Sequence, residues 1–154
     1  MKTFSNKIIL TYFTYLFFSC VFFLIYHLNE FPNKYVFTDW LINYEGGFVR
    51  RGLLGQIIYK TAETTNLEIK YIILYFQIFS YLMYFYLFWL FLQKIKINYF
   101  WYLLVFSPVL FLYPLSELEA LGRKEIVVIT LFLLFAYIKY NNLNNLIYSF
   151  VGIF

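Results

Sequence analysis

The sequence predicts an all-α fold, a polytopic transmembrane helix bundle of about four to five spans whose long first loop contains a short amphipathic helix. Three observations lead there. The chain is 63% hydrophobic and 13% charged, with mean hydropathy +0.70, whereas a soluble domain carries roughly 25% charged residues. A soluble fold of 154 residues would still expose much of that apolar surface, so lipid is its natural solvent. Uncharged runs long enough to cross a hydrocarbon core recur along the chain, and the acids and paired cations gather in two segments, 29–70 and 116–125.

The first span is read at 8–28, an uncharged run with His27 near its far end. At ~1.5 Å per residue it is about 32 Å long, against a hydrocarbon core of roughly 30 Å. Phe17-Phe18-Ser19-Cys20 resembles a lipoprotein cleavage box, but the apolar run continues through Leu28, as in a retained anchor. The second span is read at 71–92 and ends at Gln93-Lys94-Ile95-Lys96, whose lysines suit the headgroup layer. The third, 99–115, contains Pro108, which predicts a kink, and Pro114, which predicts an end. The fourth, 126–140, is short unless Lys139 snorkels and Tyr140 marks the interface. After the polar run Asn141-Asn142-Leu143-Asn144-Asn145, residues 146–154 read as a partial fifth span. Too short to cross a bilayer, that tail points to a single membrane domain, 1–154, that is the N-terminal portion of a longer protein. A short terminal helix packed on the bundle is the alternative.

Orientation follows from Lys and Arg placement. A cytoplasmic N-terminus puts Lys2, Lys7, Lys94, Lys96 and Lys139 inside but leaves the larger basic set outside. The first span and the purely basic 93–98 connection favour that choice. Under either orientation the 29–70 and 116–125 loops are two crossings apart and share a face.

Composition also narrows the function classes. The net charge of +4 is spread over several loops with no basic run, which removes nucleic acid as a partner. One cysteine, Cys20, rules out an intrachain disulfide and a cysteine metal cluster; within its apolar stretch it reads as a small buried hydrophobe. The 21 Phe and 17 Tyr, beside many Ile, Asn and Lys, fit biased codon usage as well as any stacking device. No pattern assigns a cofactor.

The first loop carries Asp39-Trp40, then Asn43-Tyr44-Glu45-Gly46-Gly47-Phe48-Val49-Arg50-Arg51-Gly52. Gly46 and Gly47 permit close backbone approach, and Arg50 and Arg51 would grip phosphate or carboxylate oxygens. Asp39 or Glu45 would take a proton from a sugar hydroxyl or hold a metal ion. Each has a plainer role: Arg50 and Arg51 as headgroup anchors or partners of Asp39 and Glu45, and Gly46-Gly47 as a turn before an amphipathic helix over 48–60. Asp39 would cap a helix starting at Trp40, and Trp40 and Tyr44 would be interfacial anchors. In the second loop Glu117, Glu119, Gly122, Arg123, Lys124 and Glu125 repeat the pairing of carboxylates with cations. Taken alone it reads as a solvated connection with Arg123 and Lys124 at the headgroups; two such loops on one face point to a shared polar site. His27 reads as an interfacial histidine.

Residues 37–56, with weaker support at 116–125, resemble a motif of uncharacterised bacterial multi-span proteins linked to surface-polysaccharide synthesis. Those proteins are similar in organisation to C-fold glycosyltransferases and to O-antigen or exopolysaccharide polymerases. The resemblance implies a membrane enzyme acting on a polyprenyl-phosphate-linked sugar. Asp39, then Glu45, would be catalytic base or metal ligand; Arg50, Arg51, Arg123 and Lys124 would bind phosphate, with Glu117 and Glu119 as further carboxylates. The sequence departs from that pattern in lacking a tight acidic pair and in its short length. A transporter or flippase subunit for an anionic solute or lipid, and a non-catalytic assembly subunit, are the alternatives.

Overall fold

The structure is a computed structural model; it describes residues 2–29, 35–45, 47, 52–94, 99–107, 111, 112, 115 and 117–140. Helices joined by turns account for the described residues. They are α1 (Lys2–Leu28), α2 (Tyr35–Trp40), α3 (Leu53–Thr65), α4 (Ile69–Lys94), α5 (Tyr99–Val105), α6 (Leu118–Leu121) and α7 (Glu125–Tyr140). Two segments, Lys7–Leu28 of α1 and Ile69–Lys94, are long and apolar enough to cross a membrane.

α1 and α4 are apolar around their whole circumference, so each buries one face and leaves the opposite face apolar too. On α1 the buried face is Ile9, Phe13, Leu16, Cys20 and Leu24, spaced three and four apart. It meets Tyr81, Phe85 and Leu92 of α4 in one core cluster. The Phe13 ring lies 5.6 Å from Phe85 and 5.0 Å from Phe111, whose ring in turn stands edge-on to Phe88 at 4.6 Å.

The pair is antiparallel. Phe13 lies beside Phe85, while Leu28 and Asn29 share one shallow pocket with Glu68, Ile69 and Tyr71. α7 runs parallel to α4: the Thr130 hydroxyl, bonded to the Ile126 carbonyl at 2.7 Å, lies 3.3 Å from the Ser80 carbonyl, and Phe91 lies 5.6 Å from Tyr140. Lys94 closes that end, its Nζ 4.7 Å from the Tyr137 ring centre and 5.4 Å from that of Tyr140.

This register places exposed tyrosines at two matched levels, Tyr15 with Tyr86 and Tyr26 with Tyr75. The levels are about 16 Å apart, eleven residues on either helix at ~1.5 Å each. Between them, every exposed side chain on α1, α4 and the adjoining turns of α7 is a hydrocarbon: Phe18, Phe22, Ile25, Phe79, Leu82, Val128, Ile129 and Phe132. Charge returns beyond both levels, with Lys7 and Lys94 at one end and the ion-paired Glu68 and Lys70 at the other.

A second, smaller core lies over the start of α4, where Phe37 and Trp40 of α2 and Ile58 of α3 pack on Ile72 and Ile73, with Val127 of α7 alongside. The join between α2 and α3 is close. A Cβ on Gly55 would sit 2.0 Å from the Ile42 carbonyl oxygen and 3.0 Å from that of Trp40. α3 ends at Asn66, whose left-handed φ of +55° lets its N–H bond the Ala62 carbonyl.

Several sequence readings shift. α1 starts at Lys2 rather than at 8, and α4 brackets the expected 71–92 by two residues at each end. The run 99–115 is not one helix: α5 stops at Val105. Pro108 cannot donate to the Leu104 carbonyl, and Ser107 N–H takes that place at 3.3 Å, tightening the last turn. The amphipathic helix expected over 48–60 is α3, beginning at Leu53; residues 48–51, 108–110 and 141–154 lie outside the described residues, so Pro108 itself, the polar run and the partial fifth span do too. α7 agrees with the reading 126–140 to within one residue.

Candidate functional site

The two polar loops meet. The Lys124 Nζ lies 2.9 Å from Asp39 Oδ1 and donates to the Asp39 carbonyl, also at 2.9 Å. Both side chains are largely shielded, with 6% of the lysine and 12% of the aspartate exposed. The cost of taking both groups out of water is offset by the ion pair and the carbonyl hydrogen bond. The pair therefore ties α2 to the start of α7 across 85 residues of sequence.

The turn before Lys124 is held just as firmly. The buried Gly122 carbonyl accepts from Trp40 Nε1 at 2.7 Å and from Gln77 Nε2 at 2.8 Å, which fills both of its lone pairs. The adjacent Leu121 carbonyl accepts from the Tyr81 hydroxyl at 2.9 Å. Trp40, Gln77 and Tyr81 are each at most 1% exposed. A buried carbonyl without a partner costs about 1–3 kcal/mol, so three side chains from α2 and α4 make this non-helical turn tenable inside the bundle. Four α-helical turns of α7 then begin with Glu125 in the first turn, where a carboxylate suits the helix dipole.

The rest of the first loop folds onto α3. The Tyr44 N–H donates to Gln56 Oε1 at 3.0 Å, and the Glu45 N–H donates to Asn43 Oδ1 at 3.2 Å in an Asx turn. Gly47 has φ +117° and its N–H bonds the Tyr44 carbonyl at 3.1 Å, which makes it a turn residue that a side chain would strain.

The candidate residues thus divide. Asp39 and Lys124 come together and are shielded. Glu45, Gly47, Glu117, Arg123 and Glu125 are exposed. Gly46, Arg50 and Arg51 lie outside the described residues, as does the Glu119 side chain on α6. Some plainer readings are corrected. Asp39 lies near the C-terminal end of α2 and caps no helix start. Trp40 is fully buried with a bonded indole N–H, so it is no interfacial anchor, and Lys124 is buried against Asp39 rather than solvated. His27 is buried on the packed face of α1 rather than at a surface, and Cys20 lies in the core as expected. Gln77 was missed altogether. It carries the lone side-chain amide within the run 71–92, and a polar side chain in a spanning helix calls for a partner on a neighbour.

A groove of about 580 Å³ adjoins the junction, lined by Leu53 and Leu54 of α3, by Lys124 and Glu125, and by Val127 to Ile129, Leu131 and Phe132 of α7. One end is charged and the long wall is apolar. Among the described residues no three His, Cys, Asp or Glu side chains converge on a metal position. Comparison with protein-family models, curated proteins and solved structures returns no match to this chain.

Proposed function

We propose that the chain is a polytopic protein of the bacterial inner membrane, with its N-terminus cytoplasmic, that acts on a polyprenyl-phosphate-linked sugar in cell-surface polysaccharide synthesis. The observation that carries this is the junction of the two polar loops beside a groove with one charged end and an apolar wall. Such a groove suits a molecule with a polar head and a hydrocarbon chain. This reading takes the chain to make four passes, two of them α1 and α4, with a further span beyond 145. The exposed Arg123, with Arg50 and Arg51, would meet the phosphates. Asp39 is shielded against Lys124, whereas Glu45 and Glu117 are exposed, and an exposed carboxylate can reach the acceptor hydroxyl as base. The test is Glu45→Gln and Glu117→Gln, each scored for surface polymer and for lipid-linked sugar. Loss of polymer with accumulation of the lipid-linked precursor is expected from one of the two; wild-type polymer in both removes these carboxylates from the chemistry.

A second reading has its own observation. Asp39, Trp40, Gln77, Tyr81 and Lys124 each bond to one another or to backbone. That is what a purely structural junction of an assembly subunit requires, and wild-type polymer in every exposed-residue variant selects it.

A further inference from the structure

Helix register gives the depth of the second loop. Gln77 and Tyr81 lie seven and eleven residues beyond Lys70 on α4, about 10 and 16 Å along the axis at ~1.5 Å per residue. The carbonyls of Gly122 and Leu121 are bonded at those levels, well inside the ring of charge at Glu68 and Lys70. α7 starts there too, since Thr130 reaches the Ser80 carbonyl. Non-helical backbone at such depth requires that its polar groups be met by protein, and Trp40, Gln77 and Tyr81 meet them. Yet Arg123 and Glu125, on either side of Lys124, are exposed. Exposed charge at membrane depth needs water or headgroups beside it. The groove that contains Glu125 continues along α7 to Ile129 and Phe132, which face outward at the hydrocarbon level.

We propose that α6 and the turn after it, residues 118–124, form a re-entrant segment flooring a hydrated recess about 10 Å below the membrane surface, open sideways to the bilayer, that admits a lipid headgroup while its chain stays in the hydrocarbon. The proposal rests on the membrane reading above and specifies the route by which a lipid-linked substrate reaches the junction. It places the polar chemistry at the foot of α2 and α3, where a soluble reactant enters from the loop face and a lipid enters from the side between α3 and α7.

The experiment uses the full chain in open membrane fragments, with single variants Glu68→Cys, Glu125→Cys and Ile129→Cys. The wild type sets the blank, because Cys20 is fully buried. Two reagents are compared: a charged water-soluble maleimide, and a maleimide carried on the headgroup of a phosphatidylethanolamine. Glu125→Cys is expected to react with both, within about tenfold of the surface position Glu68→Cys. Ile129→Cys, in a medium that disfavours the thiolate, is expected to react about tenfold or more slowly with the soluble reagent. No lipid-borne adduct at Glu125→Cys overturns entry of a headgroup, and no soluble adduct there overturns the hydrated recess. Fast soluble labelling at Ile129→Cys overturns the sideways opening to lipid. Failure of the membrane reading itself looks different: the chain leaves the membrane fraction on carbonate extraction.

Discussion

Arg123 and Lys124 are neighbours of like charge, and Asp39 and Glu45 are carboxylates six residues apart, yet the structure treats each pair unequally. Lys124 and Asp39 are shielded and bonded to each other, whereas Arg123 and Glu45 face outward. The difference separates two kinds of importance. A shielded charge acts on the fold, because losing its partner leaves an ion where water cannot reach it. An exposed charge contributes little to the fold and is kept for what it meets outside the chain.

The strongest way to break this comparison is at the lysine. Lys124→Ala strands the Asp39 carboxylate, and removing one partner of a buried pair costs about 3–5 kcal/mol. Thermal unfolding in detergent should show the variant as the least stable of the series. The double variant Asp39→Leu with Lys124→Met removes both charges and should recover most of the loss, since replacing a buried pair by apolar residues is often close to neutral. A double variant as unstable as the single one would mean that the pair is not the source of the cost.

A smaller effect is expected at Gly55, where α3 passes the chain leaving α2. Gly55→Ala drives a methyl group into the Ile42 carbonyl, and backbone cannot rotate away as a flexible side chain can. Overpacking of this kind costs about 1–3 kcal/mol. The loss should appear as a lower unfolding midpoint, with faster proteolysis between α2 and α3. An unchanged midpoint would show that the two segments are less closely joined than the structure has them.

How much of this was legible beforehand depends on the range of the interaction. Runs of uncharged residues mark α1, α4 and α7 because their apolar character is local. The early stop of α5 at Val105 is local too, although a proline at a kink and a proline that ends a helix carry the same residue. What the chain conceals is which cation pairs with which acid. Lys124 and Arg123 look interchangeable until α4 places Gln77 and Tyr81 against the turn, through contacts that span 45 and 40 residues of sequence. Gly55 is hidden for a related reason: a glycine that admits a passing carbonyl and a glycine that merely ends a turn are spelled alike.

The smallest effects on stability are expected at Arg123 and Glu45, and they sharpen the comparison most. Arg123→Gln and Glu45→Gln should each change stability by no more than about 0.5 kcal/mol, as for other exposed positions without partners in a network. Their unfolding midpoints should therefore overlay the wild type. Surface polymer, measured on the same preparations, is where they should separate from it, because an exposed arginine beside the groove can bind only what enters from outside. Stability and output then move independently: Lys124→Ala lowers output through the amount of folded protein, and Arg123→Gln lowers output per folded molecule. If Arg123→Gln leaves output unchanged while Lys124→Ala abolishes it in proportion to folded protein, the junction is structural throughout and the exposed charges serve only solubility.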